Sequence, residues 1–96
     1  MRVIRAALVA MILPAIAFAH AGGRDVRGTI VKIEKATVVV ERTDGVRESI
    51  PLTAATTYRA GKAAARWSDM RVGSRIVVHV GHDKNAIEVH LPARAD

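Results

Sequence analysis

The 96-residue chain has no cysteine, which removes disulfide staples, thiolate nucleophiles and every cysteine-ligated zinc or iron–sulfur centre. Aromatic residues are nearly as scarce, at one Phe, one Tyr and one Trp. That is too few for the successive stacking platforms on which single-stranded nucleic acid is held. Acidic residues are in the minority, with 9 Asp or Glu against 15 Lys or Arg. The two signs interleave along the chain, so the basic excess forms no nucleic-acid stripe. There is no nucleophile-elbow motif and no glycine-rich phosphate loop. "VGSRI" places a Ser after a Gly but leads into a strand-like run, where such loops open a helix. With no nucleophile, base and orienter set in view, the sequence reads as that of a protein that is not an enzyme.

Long apolar runs are also missing. "AALVAMILPAIA", Ala6 to Ala17, is about a dozen residues, short of the ~20 that span a bilayer as a helix. It follows Arg2 and Arg5 and precedes alternating small residues, the pattern of a cleavable export signal over residues 1–19. Small side chains at the last and third-last positions before the cut occur at Ala15/Ala17, Ala17/Ala19 and Ala19/Ala21. Pro14 ends the helical stretch a few residues earlier, and bulky Phe18 between Ala17 and Ala19 favours a cut after Ala19. His20 then becomes the N-terminus. A cut after Ala17 instead leaves Phe-Ala-His, a terminus whose third-position histidine suits square-planar copper or nickel.

The expected mature chain has 77 residues and 13 Lys or Arg against 9 Asp or Glu, a charge near +4. It is expected in the periplasm or outside the cell, without a membrane anchor after cleavage. Residues 20–25 read as a flexible leader, 26–92 as one domain and 93–96 as a tail. A chain of this size buries only about 60% of its unfolded surface, so sheet packing has to supply its stability.

The body is dense in Val, Ile and Thr, in runs too short for helices. "VRGTIVKIEK" and "ATVVVER" read as two strands. Asp44-Gly45 marks a hairpin turn to a third, "VRESIPL". A three-residue loop with Gly45 in a bulge sets Glu41 opposite Arg47 and Val38 opposite Ile50, and it avoids facing Glu41 with Glu48. Pro51 ends the strand or confines it to an edge. "TTYRAGKAAARWSDMRVG" is less strand-like; Ala63 to Trp67 fit a helical turn, Ser68 caps a second, and Gly73 ends it. Trp67 and Met70, three apart, are expected to plug one end of the core. "SRIVVHV" and "AIEVHL" form a last hairpin in which Val80 faces Ile87, Val78 faces Val89 and Ile76 faces Leu91.

Five short strands with a helical turn between the third and fourth is the order of an OB-like β-barrel, an all-β fold. "GTIVKI", "TYRAGK", "WSDMRVGSRIVVHV" and "AIEVHLP" resemble a widespread bacterial family of small secreted domains of unknown function with such a barrel. The resemblance covers roughly Val26 to Leu91. It rests on Gly28, Thr57, Gly61, Lys62, Asp69, Val72, Gly73 and the closing Val-rich hairpin, all of them structural positions, so it implies a fold and no catalytic residue.

Four histidines are the remaining candidates for chemistry. The last hairpin sets His79 opposite Glu88 and puts His90 one diagonal step away, all three pointing off the core, with His82 in the adjoining loop. Imidazole and carboxylate are ordinary zinc or copper ligands, and His79, Glu88, His90 and His82 are the candidate metal set. Arg24, Arg27 and Lys32 read as solvated strand-face residues rather than phosphate contacts. The expectation is therefore a non-catalytic envelope module with no resident cofactor, whose partner is an envelope protein or small ligand and not nucleic acid. The alternative is a metal-binding protein using the hairpin histidines.

Overall fold

The computed structural model describes residues 23–93. They form an all-β unit of seven strands: β1 (Arg24–Glu34), β2 (Thr37–Arg42), β3 (Arg47–Pro51), β4 (Thr57–Ala60), β5 (Ala63–Ala65), β6 (Arg75–Val80) and β7 (Ala86–Leu91). Among the described residues the single 3-10 turn, Trp67–Asp69, lies between β5 and β6. The strands make one sheet in the order β3-β2-β1-β6-β7-β4-β5. The sheet is not closed: β3 and β5 are its two ends.

Three expectations are corrected by this arrangement. The count is seven rather than five, because the segment read as partly helical contributes β4 and β5. Ala63 to Ala65 pair with Tyr58 to Ala60 as a tight hairpin about Gly61, whose φ of +64° suits the turn. A hairpin partner therefore overrides the mild helical preference of three alanines. The sheet is open, where a closed five-stranded OB-like barrel was expected. Finally, β1 starts at Arg24, inside the stretch read as leader.

β1 is the spine. Its first half pairs with β6 and its second half with β2, the two overlapping at Gly28 and Thr29. Serving two neighbours in this way requires the strand to coil, and a register shift between Ile30 and Lys32 supplies the bend. The β2–β3 hairpin has the expected register, with Val38 opposite Ile50 and Glu41 opposite Arg47. Gly45 sits at φ +86° in its loop, and Pro51 ends the edge strand β3. In the last hairpin Val78 faces Val89 and His79 faces Glu88, but a bulge turns Val80 toward Ala86. Ile87 is consequently exposed and Ala86 is buried. An extra residue at the turn flips the side chain that follows it.

Alternation along the strands sends one face inward. Val26, Ile30, Val38, Val40, Ile50, Ile76, Val78 and Val89 are at most 3% exposed and belong to one cluster. Met70 is buried with them, whereas Trp67 is 41% exposed and donates its indole N–H to the Glu34 carbonyl at 3.3 Å. The expected joint plug is thus Met70 alone. Thr56, the one buried polar residue among those described, donates its hydroxyl to the Ala86 carbonyl at 2.7 Å and accepts from the Thr53 N–H at 2.9 Å. It ties the β3–β4 connection to the start of β7.

Candidate functional site

The outward residues of the four central strands fall into two neighbouring rows. Asp25 on β1 faces His79 on β6, which faces Glu88 on β7, which faces Thr57 on β4. The next row runs Arg27, Val77, His90 and Arg59. The hairpin placement of His79, Glu88 and His90 on one face is as expected from sequence. What the sequence reading missed is Asp25, because its neighbour β6 lies some fifty residues away in the chain and no local pattern announces that pairing.

Asp25 changes the local chemistry. The Nδ1–H of His79 donates to Asp25 Oδ1 at 2.7 Å, and the Nε2–H of His90 donates to Glu88 Oε1 at 3.0 Å. Arg59 stands 3.9 Å from the other oxygen of Glu88. The histidines are therefore engaged in two separate carboxylate pairs. Among the described residues no three His, Asp or Glu side chains are grouped so as to hold a metal ion. His82 is exposed in the β6–β7 turn, and His20 and the cleavage positions Ala17 and Ala19 lie outside the described residues. An imidazole whose Nδ1–H is fixed by a carboxylate keeps Nε2 free for a metal, so His79 is the best-oriented single ligand of the set.

Beside this face a second charged cluster caps the inner end of the sheet. Glu48 projects from β3 on the same side as Ile50, and it accepts from both Arg24 and Arg42. Arg42 also donates to Asp44 at 2.6 Å. The Arg24 hydrogen bond, with a further contribution from Arg42, holds the Glu48 carboxyl below the usual carboxylate range against the opposing effect of burial. Asp44 is lowered as well, chiefly by Arg42. Burial raises the Tyr58 phenol. Because the folded state lowers the pKa of Glu48, its contribution to stability is complete above the ordinary value of 4.5 and fades as pH falls through the lower folded value. Glu48→Gln is accordingly expected to lower Tm at pH 7, and the gap to wild type should narrow steadily as melts are taken below about pH 4.5. A gap independent of pH would disprove an ionic role for Glu48.

Shallow grooves follow the outer face of β1. One of about 480 Å³ is lined by Asp25, Arg27, Val77, His79, Glu88 and His90. Another, of about 360 Å³, opens between Arg27, Arg75, Thr43 and His90, with Ile76, Val77 and Leu91 among its walls. Their chemistry is that of an open charged face on an apolar base, where water competes with every acid or base and no group is enclosed. Among the described residues no helix is long and apolar enough to cross a membrane. Comparisons of the chain with models of protein families and with curated proteins find no match.

Proposed function

We propose that this chain is an exported, non-catalytic binding module of the cell envelope, built as an open OB-like barrel, that engages its ligand or partner through the outer face of β1, β6 and β7. The carrying observation is the contrast between the two faces of the same strands. Inward, Val26, Ile76, Val78 and Val89 make a dry core; outward, charged and imidazole side chains stand in rows around half-buried Val77. The connection of three meandering strands, an excursion and a closing hairpin supports the OB-like reading, with β4 running parallel to β7. The N-terminal basic head and short apolar run support export. The exposure of both His–carboxylate pairs, at 39% for His79 and 46% for His90, supports binding over catalysis, since neither pair is enclosed from water.

Affinity capture from envelope extract tests the reading. The mature chain should retain a ligand or protein reproducibly, and Val77→Glu, which charges the centre of the face, should release it. Reproducible capture of nothing removes the proposal.

A metal-binding role for the same face is favoured by one observation, the free Nε2 of His79 beside Glu88 and His90. Zinc or copper held there has few protein ligands, so calorimetry on the mature chain should show Zn(II) or Cu(II) heats that disappear in His79→Ala/His90→Ala. Equal heats in both proteins eliminate this alternative.

A further inference from the structure

Among the described residues, two guanidinium groups on the outer face have no carboxylate partner. Asp25 is bonded to His79, Glu41 to Arg47, Asp44 to Arg42, Glu48 to Arg24 and Arg42, and Glu88 to His90. Each of these carboxylates, Glu48 on the inner side included, thus has a partner of its own, as has Glu34 in Lys32. The side chains of Arg27 and Arg75 have no hydrogen-bond or ion-pair partner among the described residues, although both are exposed and both line the groove of about 360 Å³. Arg24 and Lys32, by contrast, are spent on Glu48 and Glu34.

The two arginines are diagonal neighbours. Arg27 faces Val77 across the β1–β6 pair, and Arg75 faces Thr29 in the next outward row. Diagonal positions on one sheet face lie roughly 7–8 Å apart at the backbone, within reach of two long side chains converging on one ligand. Thr43, from the β2–β3 loop, brings a hydroxyl to the same groove.

We propose that Arg27 and Arg75, with Thr43, form a binding site for a phosphate group. This rests on the binding-module reading and names its ligand chemistry. Two arginines on neighbouring strands and a threonine from a loop line one groove. A tetrahedral oxyanion offers an oxygen to each, whereas a planar carboxylate is satisfied by one fork. The apolar stretch of groove formed by Val77, Leu91 and Pro92 has room for the organic group that carries the phosphate. Glu41, Asp44 and Glu88 are not among the groove's walls, and each is held elsewhere, Glu41 by Arg47, Asp44 by Arg42 and Glu88 by His90. The phosphate has two sources, a free ion or ester and a lipid headgroup, and the groove chemistry is common to both.

The test is a two-dimensional amide NMR titration of the mature chain with inorganic phosphate, alongside co-sedimentation with phosphatidylglycerol and with phosphatidylcholine vesicles. Two variants accompany wild type: Arg27→Gln/Arg75→Gln, and Lys35→Gln/Lys62→Gln, which removes the same charge elsewhere. Circular dichroism confirms that each is folded. Saturable shifts centred on residues 27, 43 and 75 are expected. Affinity should fall at least about tenfold in the arginine pair, as expected when a charged hydrogen bond is lost, and under about twofold in the lysine pair. Phosphate binding with that dependence assigns a free source; binding only to phosphatidylglycerol vesicles with that dependence assigns a lipid headgroup. No binding to either probe, or equal weakening in both double variants, overturns the site. Envelope capture that survives Arg27→Gln/Arg75→Gln while both probes fail removes the phosphate site and leaves the binding module standing.

Discussion

Replacing Gly28 by Ala is expected to lower Tm by on the order of 10–20 °C, from a loss of about 2–3 kcal/mol in a domain this small. A Cβ at Gly28 would lie 2.1 Å from the Glu41 carbonyl oxygen, 2.8 Å from its carbon and 2.9 Å from Val40 Cγ1. Two of those atoms are backbone, so no side-chain rotation relieves the clash. β1 and β2 have to separate where β1 is also held by β6, because Gly28 faces Arg42 on one side and Ile76 on the other. Gly45 provides the contrast. Nothing lies within 4 Å of its would-be Cβ, and only its φ of +86° favours glycine. Gly45→Asn, a residue that tolerates that conformation, should melt close to wild type. Differential scanning calorimetry of both variants decides the matter, and a Gly28→Ala melt within a few degrees of wild type would contradict the close approach of β1 and β2.

Ile30→Ala is expected to cost about 2–5 kcal/mol, the usual range for truncating a fully buried aliphatic side chain. Ile30 is 0% exposed and sits where β1 bends from one neighbour to the other. Its N–H donates to the Ser74 carbonyl at 2.9 Å and its carbonyl accepts from the Gly73 N–H at 2.8 Å. Those bonds persist in alanine, so the loss is one of packing alone. Stabilities of roughly 0.05–0.15 kcal/mol per residue make this a large part of the total, and urea titration should show a much lower midpoint with an unchanged slope. Val31→Ala, one residue on and facing outward, should shift the midpoint far less. Similar losses for both would mean that the inward face has been assigned wrongly.

The sequence made legible what depends on neighbours in the chain. The β2–β3 register followed from the Asp44-Gly45 turn and from the preference of Glu41 for Arg47, and the side-chain bond of 3.2 Å between those residues bears it out. The central pairs of the last hairpin followed from two runs of alternating apolar residues. Ile87 escaped because a bulge is one extra residue, and a pattern of period two does not announce it. β4 and β5 escaped because Ala-Ala-Ala has no strand signature; its pairing comes from Tyr58–Ala60 and from the parallel partner β7.

For the face of β1 the limit was distance along the chain. His79, Glu88 and His90 share one hairpin and could be placed together from their spacing. Asp25 and Arg27 join them only through the β1–β6 pairing, which also sets Arg27 diagonal to Arg75 of β6. One available signal was the alternation of Arg24, Asp25, Val26, Arg27 and Gly28, which sends Asp25 and Arg27 outward and Arg24 inward toward Glu48. Whether an arginine is spent or spare, however, depends on which carboxylate the fold brings to it: Glu48 reaches Arg24 from β3, two strands away, and none among the described residues reaches Arg27.

The position of β1 at the middle of the sheet sets the timetable of assembly. Its first six residues find their partners only in residues 75–80, and β4 waits for residues 88–91, so the sheet is incomplete until β7 has been synthesised. Until then the β1–β2–β3 meander shows water the whole row of Val26, Ile30, Val38, Val40 and Ile50. Pairing over so long a loop is slow, so these apolar side chains stay wet until the last strands arrive.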